Sequence, residues 1–304
     1  MSRSTRSPAS TTRWPPRRLS PRWAGSSPST SPPATSGRQR HDNPGVRRGS
    51  GGGGVSATRR DWVGLRVLLA ATFMGQVDGF VVSVASPSIQ EDLHAGFDQI
   101  QLVGAGYVLA FAALLVTGAR LGDRYGRRRV FLVGVAGFTA TSLLCGLAPT
   151  AELLIAGRFA QGAAAALMVP QVLAIARAMF TEPADQARAV ARYGMVIGLG
   201  VVSGVAGGGL LAQADLAGLG WRSVLLVNVP IGLGILVAGK AVGESRGAAG
   251  RLDLAGAALT IVGVPALLMP LIFLPGATAT AVGLAVAATA LGALALRQRR
   301  LAAA

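Results

Sequence analysis

The chain has 304 residues, of which 51% are hydrophobic, 5% aromatic and 14% charged, and its formal net charge is +16. Charged residues make up roughly a quarter of an ordinary soluble domain, so this composition excludes a typical soluble enzyme. A single cysteine, Cys145, excludes a disulfide framework, and two histidines, His41 and His94, argue against a histidine-rich metal cluster.

Residues 1–60 carry twelve arginines and one acid, Asp42, in a background of Ser, Thr, Pro and Gly that ends at Gly51–Gly54. Aliphatic side chains are almost absent, so nothing offsets the entropy of ordering the segment. It reads as a disordered basic tail, or as a mis-assigned start with the protein beginning near Val55 or later. No apolar region follows Arg17-Arg18, which argues against a twin-arginine signal. The lack of regular basic–aromatic interleaving argues against a nucleic-acid partner.

Downstream, apolar blocks fall at 63–85, 101–119, 130–148, 151–174, 192–213, 223–240, 254–274 and 277–296. Each is about the length that crosses a bilayer as a helix. The runs are continuous rather than alternating, which argues for helices and against a β-barrel. The prediction is an all-α integral membrane protein with about eight spans in a lipid bilayer. Basic residues gather in every second connection: Arg59 and Arg60, then Arg120 to Arg129, then Arg177, Arg188 and Arg192, then Lys240, Arg246 and Arg251, and finally Arg297 to Arg300. The other connections hold Glu91, Asp92, Asp98, Glu152 and Asp215, with Arg222 against them. This alternation predicts a multi-pass cell-membrane protein with both termini cytoplasmic.

Asp78 lies in helix 1 and Arg158 in helix 4, each within an apolar run. A charge in hydrocarbon costs about 2.5–3.5 kcal/mol on insertion scales, so such residues face a bundle interior or a wet cavity. The two helices run in opposite senses, which puts both charges at similar depth in the outer half of the membrane. They are candidates for an ion pair, or for a site where a proton competes with a cationic substrate. The alternatives are a static salt bridge, or an Asp78 close enough to the interface to be hydrated. Gln76 and Gln161 are candidate hydrogen-bonding partners in the same cavity, and Arg66 is expected to snorkel to the inner surface.

The connection between helices 2 and 3 runs from Gly118 to Arg129. Asp123 is placed to cap helix 3 or to pair with a nearby arginine, and Gly126 suits a tight turn. Helix 5 carries Gly200, Gly204 and Gly208 at four-residue spacing, followed by Gly209, a pattern for close helix packing. Gly51–Gly54 lacks the lysine and the strand–helix context of a phosphate loop. No nucleophile–base pair or metal-ligand cluster appears, so neither an enzyme nor a cofactor is expected.

Together these motifs resemble the major facilitator superfamily, in its fourteen-helix drug:proton antiporter branch (EmrB/QacA-like exporters). The resemblance rests on Asp78 to Pro87 in helix 1, and on Leu121, Asp123, Arg124, Gly126, Arg127 and Arg128 in the helix 2–3 connection. It also rests on Arg158, Gln161, Gly162 and Pro170 in helix 4, and on Trp221-Arg222 with Asn228 to Gly232 at helix 6. Three places depart from the family pattern: Ala119, the set Phe80, Ser83 and Ser86, and Val205 after Gly204, where the branch has a proline.

The resemblance implies a six-helix N-terminal bundle over residues 61–242 and two linker-type helices over 243–304, with the family's second six-helix bundle missing. It also implies that the helix 5 glycine face has lost the packing partner it has in the family, which lies in the missing bundle. Its implied roles are proton or substrate coupling for Asp78, Arg158 and Gln161, gating for Asp123, Arg124, Gly126, Arg127 and Arg128, and helix packing for Gly204, Gly208 and Gly209. The implied function is proton-driven efflux of a lipophilic or cationic small molecule, with a second transporter half as an expected partner. The alternatives are a fragment that does not transport without that half, or a metabolite carrier of the same fold.

Overall fold

The computed structural model describes residues 57–213, 218–247, 254–273 and 277–302, all as helices and their connections. The 1–60 tail lies almost wholly outside them. The helices are α1 (Arg59–Asp92), α2 (Phe97–Tyr125), α3 (Arg127–Gly146), α4 (Ala151–Met179), α5 (Pro183–Gln213), α6 (Arg222–Leu226), α7 (Asn228–Ala238), α8 (Leu254–Phe273) and α9 (Ala277–Ala302). Among the described residues, seven helical stretches are long and apolar enough to cross a membrane, α6 and α7 counting as one, and Ala255–Pro270 in α8 is a shorter apolar helix.

Hydropathy locates the apolar parts of the helices but not their ends. α1 begins at an N-cap on Thr58, five residues before its apolar block. The Thr58 backbone N–H donates to Asp61 Oδ2 at 2.8 Å, and the Asp61 N–H donates to Thr58 Oγ1 at 3.3 Å, a reciprocal capping box. α2 runs on to Tyr125 and α3 starts at Arg127. The expected connection of a dozen residues is therefore a single-residue joint at Gly126. Charged side chains are compatible with a helix once it leaves the hydrocarbon, so the backbone keeps its hydrogen bonds through the arginines.

The sixth span is broken between α6 and α7. Pro230 has no N–H to offer the Leu226 carbonyl one turn back, and the helix is interrupted at Val227.

α1, α3, α4 and α7 enclose an apolar cluster that includes Leu68, Met74, Phe131, Phe138, Met168 and Ile175. A second cluster toward the other end includes Val81, Ile89, Leu154, Trp221 and Leu225. Many large apolar side chains point outward, among them Val116, Val133, Leu199, Val202 and Val237. In water this would be a liability; in lipid it is the expected surface.

α2 packs closely along α4, and α5 along α1. The α5 glycine face has a packing partner within this chain. A Cβ on Gly200 would lie 2.6 Å from Gln76 Cβ, one on Gly204 would lie 2.9 Å from the Val77 carbonyl oxygen, and one on Gly208 would press on Val81. The face is packed against α1 of the same chain. Gly209 is looser, with Val84 at ordinary contact distance. α8 packs on α2 and α9.

Candidate functional site: a buried charge network and a charge cluster at the α2–α3 joint

Asp78 sits between Met74 of one apolar cluster and Val81 of the other. It is fully buried, as are Arg158, Gln161, Ser142 and Asn228. These residues come from α1, α4, α3 and the start of α7, and they form one connected layer. Arg158 Nη1 donates to Asp78 Oδ2 at 2.6 Å and to Gln161 Oε1 at 2.6 Å. Asp78 Oδ1 accepts from Gln161 Nε2 at 2.9 Å and from Asn228 Nδ2 at 2.8 Å. Ser142 Oγ accepts from both amides at 3.0 Å and donates to the Leu225 carbonyl at 3.1 Å, beside the break in the sixth span. Arg158 Nε donates to the Val103 carbonyl at 3.3 Å, and the guanidinium stands 4.5 Å over the Tyr107 ring.

Both carboxylate oxygens are therefore satisfied by donors, which a buried charge requires. The positions arise from helix geometry. Arg158 and Gln161 are three residues apart and share a face of α4. Asn228 is brought inward at the interruption that Pro230 imposes.

The ion pair expected between Asp78 and Arg158 is present, with Gln161 bridging it. Gln76 does not join; it lies against Gly200 on another side of α1. Ser142 is not singled out in the sequence, and Asn228 enters there only within the Asn228–Gly232 stretch, with no place beside Asp78. Their signal was a polar side chain inside an apolar span, shared with several serines and threonines that only bond their own helix, such as Thr139 to Val135.

The second cluster lies around the α2–α3 joint. Asp123 Oδ1 accepts from Arg127 Nη2 at 2.8 Å and Nε at 3.0 Å, so Asp123 pairs with an arginine one turn on. Arg127 Nη1 reaches the Ala174 carbonyl on α4 at 3.3 Å. Arg128 Nε donates to the Gly239 carbonyl at 3.1 Å, and its backbone N–H donates to Glu244 Oε1 at 3.1 Å. The Arg127 N–H donates to the Ser245 carbonyl at 2.9 Å. The segment after the sixth span thus clamps the joint, through a glutamate more than a hundred residues away in sequence. Arg124 stays exposed, 5.5 Å from the Tyr125 ring.

Gly126 has φ +105° and its position faces the Glu244 carboxylate, which a Cβ would approach to 2.8 Å. Gly126→Ala is expected to cost about 1–3 kcal/mol, from a backbone region reserved for glycine, and to loosen the Glu244 clamp. A thermal midpoint equal to that of the unaltered chain would refute this.

At the opposite end, Asp92 accepts from Trp221 Nε1 at 3.1 Å and from Arg222 Nη1 at 2.5 Å, and Arg222 also donates to the Ala148 carbonyl at 3.2 Å. The one arginine expected among the acidic connections is thereby paired.

The puromycin resistance protein of Streptomyces alboniger is 42% identical over 68% of this chain and 41% of its own length. The methylenomycin A resistance protein of Streptomyces coelicolor is 37% identical over 78% of this chain and 50% of its own length. The chain spans half or less of the length of these curated relatives. A crystal structure of a bacterial homolog of the human lysosomal transporter Spinster, inward-facing and unoccupied, superposes with a TM-score of 0.53 at 20% identity, over 77% of this chain and 60% of that one. The family model described as Major Facilitator Superfamily matches residues 68–295, and the chain belongs to that superfamily.

Proposed function

We propose that the chain takes part in proton-driven efflux of a small molecule, with Asp78 as the proton-responsive group and this bundle as one of two bodies that rock against each other. The observation that carries the reading is the enclosed Asp78–Arg158 pair with its amide ligands. A proton arriving on Asp78 removes the charge that strengthens its bonds to three donors, the Arg158 bond above all. Arg158 then turns to the Gln161 and Val103 oxygens it already contacts, and the tie between α1, α4 and α7 loosens. Protonation thus becomes a change in helix packing. The antibiotic-resistance names of the relatives favour a small-molecule substrate, and we take it to be a lipophilic or cationic compound. Asp123, Gly126, Arg127 and Arg128, with the exposed Arg124, form the gate at the cytoplasmic side, and both termini lie on that side.

Because the chain spans half or less of its curated relatives, a second bundle is proposed as a partner for alternating access. The test expresses the full chain in cells stripped of endogenous exporters, alone and together with the remaining portion of the puromycin resistance protein. The readout is energised extrusion of a lipophilic cationic dye, with and without a protonophore. Protonophore-sensitive extrusion, alone or only with the added portion, supports the reading and decides whether a partner is required. Extrusion that ignores the protonophore, or its absence in both arrangements despite correctly inserted protein, overturns it.

A further inference from the structure

We propose that the start of α1 and the neighbouring part of α5 form a binding site for an anionic phospholipid, whose phosphate sits among arginines and whose acyl chain lies in the groove between α1 and α7. The first part is a cavity of ≈ 660 Å³ lined by Arg59, Trp62, Arg66, Asp185, Arg188 and Arg192. Four cations face one acid. That acid is already engaged: Asp185 Oδ1 accepts from Arg188 Nη1 at 3.1 Å, and Oδ2 accepts from the Ala57 N–H at 3.3 Å. Arg59, Arg66 and Arg192 have no carboxylate partner among the described residues. Arg192 stands 4.3 Å over the Trp62 ring, which in turn rests on Phe180 at 4.7 Å, so one wall is held in place.

The second part is an apolar groove of ≈ 270 Å³ lined by Val67, Ala70, Ile231 and Ile235, and Arg66 belongs to both cavities. Arg59 and Arg66 are seven residues apart, about 10 Å along the helix, so the site spans the depth over which a headgroup gives way to its chain. Guanidinium groups suit a phosphate because they offer paired donors, and basic pockets between membrane helices attract anionic headgroups. A soluble phosphate would use the arginines alone. The adjoining groove points to an amphiphile.

Trp62 makes the site testable. The full chain and Trp62→Phe are reconstituted in phosphatidylcholine vesicles containing brominated phosphatidylglycerol or brominated phosphatidylcholine at equal fraction, and the quenching lost in Trp62→Phe is the signal from the site. Brominated phosphatidylglycerol is expected to act at a several-fold lower fraction than its neutral counterpart. Arg59→Gln/Arg66→Gln is expected to reduce that preference at least about fivefold, since each arginine near an anionic surface contributes on that scale. Arg120→Gln/Arg129→Gln, which removes the same charge elsewhere, is expected to keep it. Equal quenching by both lipids in the unaltered chain overturns the proposal without any variant. So does a preference that survives Arg59→Gln/Arg66→Gln, or one lost equally in the remote variant. Relief of quenching by millimolar glycerol phosphate would identify a soluble-phosphate site and overturn the assignment to lipid.

Discussion

Asp78→Asn is expected to destabilise the bundle by about 3–5 kcal/mol, the cost of leaving a buried charge without its partner. The substituted amide can still accept from Gln161 and Asn228 on one side. On the other it turns an N–H₂ group toward Arg158 Nη1, where the carboxylate oxygen now lies at 2.6 Å. Two donors then face each other, and Arg158, itself 1% exposed, has no route to water. Adding Arg158→Met is expected to recover part of the loss, because a neutral pair of similar volume removes the unpaired charge. A double-mutant cycle of thermal or denaturant unfolding in micelles measures the coupling. Losses that simply add would show that the two side chains do not depend on each other. Under the proposed function, Asp78→Asn also abolishes protonophore-sensitive extrusion, whereas Arg158→Lys retains some, since a lysine keeps the charge but not the geometry.

Gly118→Ala and Gly104→Ala are expected to change stability in opposite directions, although both place alanine in the same helix. A Cβ at Gly118 would collide with the Ala166 carbonyl on α4, which is backbone and cannot rotate away. The Gly118 carbonyl also accepts from the buried Gln171 Nε2 at 2.8 Å, a bond that is lost if the helices separate. The expected cost is about 1–3 kcal/mol from overpacking, after alanine's better helix propensity is set against it. At Gly104 a Cβ meets nothing within 4 Å, and alanine is expected to stabilise by up to about 1 kcal/mol. Unfolding midpoints that shift in the same direction would sink the argument. The contrast also explains the departure at Ala119: the small residue that α4 requires here is Gly118, and Ala119 lies on a less buried part of α2.

Much of this was legible in the sequence because lipid imposes a coarse rule. Backbone groups must be satisfied within each span, so a long apolar run has few choices other than a helix. The depth argument for Asp78 and Arg158 worked for the same reason. Two continuous helices that cross in opposite senses convert position in sequence into height in the membrane, and two opposite charges at one height have strong cause to meet. What escaped was anything decided by rotation or by distant chain. Ser142 and Asn228 look in sequence like any polar residue in a span; only the rotation of α3 and the break before α7 turn them onto Asp78. Glu244 has no local signal for its contact with the Gly126 joint, because that contact depends on where the sixth span delivers the chain. The α2–α3 connection was read too long, since hydropathy measures affinity for lipid and the helices continue beyond it.

The single-residue joint has a mechanical consequence. α3 is 20 residues long, so a turn of about 10° at Gly126 would swing its far end by about 5 Å, on a lever of about 30 Å. Near its fulcrum that lever is held by Glu244, Ser245 and the Asp123–Arg127 pair, and along its length by packing on α4 and α7. Were α3 and its neighbours to turn as one body, a small release at these few bonds would be multiplied across the thickness of the bundle, and the far part of the same arm carries Ser142.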